Sequence, residues 1–146
     1  MDKSNIATVK GIDLPISTKA SIEICNFIKY QTVTLAKKKL ELVLKKKIAI
    51  PLRRFNQNRG HRKGNMSAGF YPEKATKEII KLLDSVEANA KDKGLNTDRL
   101  LLKKIVVNKA STPMHAGRHR GKMKRTHIDI EVQETEVKSK KEEKKK

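Results

Sequence analysis

Two stretches decide how this chain folds: Leu100-Leu101-Leu102-Lys103-Lys104-Ile105-Val106-Val107 and Thr126-His127-Ile128-Asp129-Ile130-Glu131-Val132. In the second, Ile128, Ile130 and Val132 alternate with His127, Asp129 and Glu131. That is the period of a strand with one apolar and one wet face. The first is rich in Leu, Ile and Val and is strand-like in composition, though less cleanly alternating. The two are expected to pair antiparallel. Some eighteen residues separate them, among them Pro113, Gly117 and Gly121, too many for a tight turn. A connection that long inside a compact domain points to a functional loop.

Outward from this pair, the rest of the chain reads mostly as helix. Pro72 fits the first turn of a helix, with Glu73 favourable at its positive end and Gly94 as its stop. Ala75, Ile79, Leu82, Leu83, Val86 and Ala90 supply its apolar period. Glu73, Glu78, Asp84 and Glu87 spread along it, where nearby lysines can partner them. Ser17 offers an N-cap for a helix to about Tyr30, with Ala20, Ile24 and Ile28 on one face beside Cys25 and Phe27. A further helix is expected from near Thr32 to near Lys47, with Val33, Ala36, Leu40, Val43 and Leu44 inward and the lysine runs outward. Pro51 ends it, and residues 51–70 read as an irregular basic loop. Before Pro15, Ile6, Val9, Ile12 and Leu14 are candidate strand residues.

Composition narrows the function. The 146 residues carry 35 Lys and Arg against 16 acidic residues, a formal charge of +19, with 36% apolar residues and no Trp. The core is therefore small and aliphatic, and the self-repulsion calls for a polyanionic partner. Nucleic acid leads, because neutralised phosphates release counterions. A membrane is not expected as partner, since no apolar run approaches the ~20 residues of a spanning helix. The single cysteine, Cys25, cannot form an internal disulfide and reads as a buried core thiol, and the first residues lack a secretion-signal pattern. A cytoplasmic protein is expected.

The positive charge is segregated. Residues 51–64 contain Arg53, Arg54, Arg59, Arg62 and Lys63 and no acid. Residues 103–127 contain Lys103, Lys104, Lys109, Arg118, Arg120, Lys122, Lys124 and Arg125, again with no acid. Solubility alone needs no such segregation. The arginine fork suits phosphate, and Phe55, His61 and Phe70 add candidate stacking surfaces for bases. The expected RNA-binding residues are Lys19, Arg53, Arg54, Asn56, Asn58, Arg59, His61, Arg62, Lys63, Lys109, His115, Arg118, His119, Arg120, Lys122, Lys124, Arg125 and His127.

Sharper chemistry finds less support. His115 and His119 have helical i, i+4 spacing, but Gly117 lies between them and no second ligand pair is near, so no metal is expected. Asp129 and Glu131 share a strand face, as a solvent-facing alternation requires, and no nucleophile, base and orienting group can be named together. No catalysis, cofactor or small-molecule substrate is expected.

Several segments in order resemble one family. Pro15-Ile16-Ser17-Thr18-Lys19-Ala20 is similar to the opening of the family of large-subunit ribosomal protein twenty-two. Pro51-Leu52-Arg53-Arg54-Phe55-Asn56 with Gly60-His61-Arg62-Lys63-Gly64 resembles the insertion of its archaeal and eukaryotic branch. Tyr71-Pro72-Glu73-Lys74-Ala75, Glu87-Ala88-Asn89-Ala90 and Lys93-Gly94-Leu95 resemble its long helix and the following turn, and Thr126 to Val132 its last strand. The resemblance spans about residues 12–134. It implies an α+β fold of three helices packed on a small three-stranded antiparallel sheet, with a long basic β-hairpin extension. It also implies large-subunit rRNA and neighbouring ribosomal proteins as partners, with the hairpin tip at the wall of the nascent-peptide exit tunnel and a growing peptide as a further contact. Ala116-Gly117-Arg118 falls at that tip, although Pro113-Met114-His115 departs from the family's pattern there and the connection is several residues shorter. The archaeal branch is preferred over the eukaryotic one on the resemblance alone.

The resulting expectation is a single rRNA-binding domain over residues 1–134, including the loop 51–70 and the hairpin extension 103–130, followed by a disordered Lys/Glu-rich tail, 135–146. A structural protein of the large ribosomal subunit that supports its assembly is the leading reading. A free basic nucleic-acid-binding protein, an RNA chaperone or chromatin-type factor, is the alternative.

Overall fold

The computed structural model describes residues 5–135, so nearly all of the expected 135–146 tail lies outside the described residues. The chain runs β1 (Ile6–Leu14), α1 (Thr18–Ile28), α2 (Val33–Leu44), β2 (Ile50–Pro51), β3 (Gly69–Phe70), α3 (Glu73–Asp92), β4 (Leu100–Lys109) and β5 (Thr126–Glu134). The fold is α+β, with three helices on a three-stranded antiparallel sheet of order β1-β5-β4. Ile128, Ile130 and Val132 of the central strand β5 are fully buried, and the residues between them are half-exposed. The sheet thus buries one face against the helices. α3 packs across β1, α1 across β4, and α2 against α3.

The blurred alternation of β4 has a local cause. Its pairing with β5 shifts between Leu102 and Lys104, so one extra residue enters the strand. Leu100 and Leu102 face the core before this bulge, and Ile105 and Val107 pack against it afterwards. The inward phase moves from even to odd numbers, as a bulge requires.

Helix ends show which stop signals are readable. After α3, Gly94 adopts φ +71°, Gly94 N–H donates to Lys91 O (2.9 Å), and Leu95 N–H donates to Ala90 O (3.0 Å). α2 ends with the same pair of bonds, Lys46 N–H to Val43 O and Lys47 N–H to Leu42 O (both 3.0 Å), but the left-handed residue is Lys46. α1 likewise stops before Tyr30 at φ 61°. The helices expected to reach about Tyr30 and Lys47 therefore end at Ile28 and Leu44. Thr32 caps α2 by accepting from Leu35 N–H, whereas Ser17 holds the N-cap position of α1 without a side-chain capping bond.

The core is aliphatic, as composition requires. Ile24, Ile28, Leu40, Ile79, Leu83 and Leu100 are among its fully buried side chains, while Leu82 is only partly buried beside it. Cys25 lies within this cluster, and burial pushes its thiol up to about 12.

Candidate nucleic-acid interface

The loop from Leu52 to Ala68 is a closed excursion, not an open strand of chain. β2 and β3 pair at its neck, and Leu52 N–H donates to Ala68 O at 2.9 Å. Further out, Arg62 N–H donates to Ser67 O at 3.0 Å. Gly69 is needed at the closure, because a Cβ there would come within 2.9 Å of both Arg62 Cγ and Met66 Sδ.

A carboxylate from the body holds the loop. Glu23 of α1 is 1% exposed, and its two oxygens accept the backbone N–H groups of Arg53 (3.2 Å), Arg54 (2.8 Å) and Phe55 (3.0 Å). A buried charge is tolerated only when it is so satisfied. The clamp uses backbone alone, so the side chains of Arg53 and Arg54 stay exposed, as do Asn56, Asn58, Arg59, His61, Arg62 and Lys63. Sequence reasoning missed Glu23. Its signal was a lone acid within α1, immediately beside the apolar Ile24 and Cys25.

The aromatic rings here lie beside cations. Phe55 carries Lys19 Nζ at 5.5 Å and the Arg54 guanidinium at 5.3 Å from its centroid, and Phe70 carries Arg59 at 5.6 Å. Arg62 lies over Tyr71 at 5.4 Å. Phe55 and Phe70, expected as stacking surfaces, thus lie beside cations of the same basic surface, which the negative ring face attracts. The rings steady the cations.

The second basic segment leaves the sheet as an arm. Beyond the pairing of Lys109 with Thr126, the strands stay together through Ala110 N–H to Arg125 O (3.2 Å), Met123 N–H to Pro113 O (2.8 Å) and His115 N–H to Gly121 O (2.8 Å). The tip is a short 3-10 turn, Gly117–His119, with Gly117 at φ 75° and Arg120 at φ 38°. The hairpin is thus regular to Lys109 and irregular over its outer part. His119 belongs to that turn. Lys109, His115, Arg118, Arg120, Lys122 and Lys124 are exposed, and Arg125 is half-buried. His127 sits at the root, where its Nδ1 accepts the backbone N–H of Asp13 (3.1 Å) at the irregularity of β1, leaving Nε2 for an outside partner.

The arm is anchored by a threonine. The buried Thr126 hydroxyl donates to Ile16 O (3.0 Å) and lies 2.8 Å from Thr18 Oγ1, which ties the arm root to the start of α1. α1 therefore holds both basic segments, the arm through Thr18 and the loop through Glu23, with exposed Lys19 between. The segments meet in a cleft of about 390 Å³, lined by Lys19, Arg54, Phe55, Arg59 and Phe70 from one side and Lys124 from the other. Lys124 also borders a larger cleft of about 890 Å³ between the arm and the first turn of α3.

The ion pairs among the described residues all lie in the body. Among the described residues the paired cations are Lys37, Lys46, Lys81, Lys91 and Lys104. As expected, the acids of α3 take part: Glu73 pairs with Lys46 (3.2 Å), Glu78 with Lys81 (3.1 Å), Asp84 with Lys37 (2.6 Å), and Glu87 with Lys37 and Lys91. Lys104, inside the acid-free stretch, is neutralised across the strands by Glu131 at 3.2 Å. None of these pairs uses a cation of residues 51–64 or 109–125. Among the described residues, no helix is long and apolar enough to cross a membrane, and no cluster of three or more His, Cys, Asp or Glu could hold a metal ion.

The chain matches, over residues 9–137, the family model described as ribosomal protein L22p/L17e. It is 41% identical over 144 residues to large ribosomal subunit protein uL22 of Methanoculleus marisnigri, covering 94% of each chain. It is 38% identical to uL22 of Nanoarchaeum equitans, covering 89% of this chain and 79% of that one. With uL22 of Methanoregula boonei the identity is 39%, covering 94% of each chain. These relatives are archaeal, in keeping with the branch that the 51–64 insertion resembles. A match of this extent, in a chain with the expected three helices and three-stranded sheet, establishes descent: the chain belongs to the ribosomal protein L22p/L17e family, a family of ribosomal proteins and not of enzymes.

Proposed function

We propose that this chain is a structural protein of the large ribosomal subunit that binds its rRNA through the loop 51–64 and the arm 109–127. The observation that carries the reading is charge segregation: every ion pair among the described residues lies in the body, while residues 51–64 and 109–127 contain no acid and none of their cations is ion-paired there. Phosphate contacts by the eighteen residues named from Lys19 to His127 supply affinity. The form of the folded RNA and its unpaired bases supply register. A body that holds two extensions at a fixed separation ties several rRNA segments together during assembly. Neighbouring ribosomal proteins meet the rest of its surface, and the Gly117–His119 turn reaches toward the tunnel wall and the growing peptide.

Salt is the direct test. With six to ten phosphates engaged, affinity for large-subunit rRNA falls about 10³- to 10⁵-fold from about 50 to about 200 mM salt. A flat response overturns the reading. Sedimentation separates it from a free RNA chaperone or chromatin-type factor: the protein travels with large subunits through a moderate salt wash, whereas a free factor stays at the top of the gradient.

A further inference from the structure

We infer that the two basic extensions, besides the RNA each holds by itself, share one element, with a single stretch of RNA backbone seated in the cleft between Arg54, Arg59 and Lys124. The inference rests on the proposed RNA-binding role and specifies how it is performed. The cleft brings together residues about 70 positions apart in sequence, and its charged lining consists of four cations, Lys19, Arg54, Arg59 and Lys124, and no acid. None of the four forms an ion pair among the described residues. Four like charges facing one narrow space repel each other, and an anion placed among them relieves that repulsion.

The cleft's form says which part of the RNA enters. A base stacking on the cation-bearing faces would have to displace Lys19 or Arg54 from Phe55, or Arg59 from Phe70. A guanidinium stacked on a ring still presents its N–H edge outward, and that edge fits phosphate oxygens. The aromatic residues therefore act as backing for a phosphate slot. Both walls are fixed before RNA arrives. Glu23 clamps the backbone of Arg54 at 2.8 Å, and the bonds from Met123 N–H to Pro113 O (2.8 Å) and from Ala110 N–H to Arg125 O (3.2 Å) bracket Lys124. A preformed slot loses little entropy on binding. It also makes each wall's contribution depend on the other.

A double-mutant cycle with in vitro-transcribed large-subunit rRNA of Methanoculleus marisnigri tests this. Arg54→Ala and Lys124→Ala change exposed side chains, and circular dichroism checks that both variants stay folded. Each single substitution is expected to weaken binding on the order of tenfold and the pair together by little more than either, leaving a coupling factor on the order of ten. Arg54→Ala with Arg118→Ala, whose second site is at the arm tip, is the control and should multiply. A product of the single losses for Arg54 and Lys124 overturns the shared slot while leaving RNA binding by both extensions intact. Equal coupling in the control cycle, or no loss in either single variant, also overturns it. A wild-type affinity indifferent to salt would instead remove the RNA-binding role itself.

Discussion

The Glu23 carboxylate of α1 accepts the backbone N–H of Arg54 at 2.8 Å, across 31 positions of sequence. An acid is thus what orders the basic loop 51–64. It binds the backbone and leaves the arginine side chains outward, so the clamp costs the loop none of its exposed charge.

Glu23→Ala is expected to leave three N–H groups without their acceptor, costing on the order of 2–4 kcal/mol in denaturant unfolding. Amide hydrogen exchange at Arg53, Arg54 and Phe55 should accelerate more than elsewhere in the loop. RNA affinity should fall even though no cation is removed. Unchanged protection of these amides would show that the loop holds itself.

Thr126→Val keeps the shape of the side chain but deletes the bond to Ile16 O and the contact with Thr18 Oγ1. The Ile16 carbonyl then loses a buried partner, and a cost of about 1–3 kcal/mol is expected. Because the lost bonds join the arm root to α1, exchange should rise around Ile16 and Ala110 while β1 and the inner part of β5 stay protected. A uniform loss of protection across the sheet would refute a local anchoring role.

Ile79 is fully buried in α3, within the aliphatic core. Ile79→Ala removes three buried carbons and leaves a cavity, with an expected loss on the order of 2–5 kcal/mol in chemical denaturation. RNA binding of the folded fraction should be unaltered, since the site lies on the other elements. A cost well below 1 kcal/mol would mean that α3 packs loosely.

Lys37 links α2 to Asp84 and Glu87 of α3. The Lys37 hydrogen bond holds the Glu87 carboxyl below its ordinary 4.5, with burial opposing. Burial opposes the charge on Lys37 as well, but its bonds to Asp84 and Glu87 outweigh it and raise the ammonium above 10.5. For the depressed carboxyl, the stabilisation is complete above the ordinary glutamate range and is lost as pH falls through the lowered value. For the raised ammonium, it is complete below 10.5 and is lost as pH climbs through the raised value. Melting curves of wild type and Lys37→Met should therefore differ most between these limits and converge at both ends. A difference independent of pH would assign the effect to packing.

The readable part of the fold followed from periodicity. The 3.6-residue stripe of α3 and the two-residue alternation of β5 were legible because each pattern has a single geometric solution, and Gly94 marked its helix end by being glycine. Tyr30 and Lys46 end their helices in the same left-handed conformation without any such mark, so those ends overran. The bulge of β4 was hidden because an extra residue only shifts the phase of an already apolar run.

By itself the sequence determined the aliphatic core, the three helices, the strands of the main sheet and the location of the acid-free basic segments, since these depend on residue identity and near-neighbour spacing. Only the tertiary structure decided that Glu23 grips the loop, that Thr126 ties the arm to α1, and that Arg54 and Lys124 face one cleft. Each of these joins residues at least 30 positions apart. The physical reason is that a hydrogen bond or a shared electrostatic field depends on separation in space, which a linear pattern does not encode until the helices have docked on the sheet.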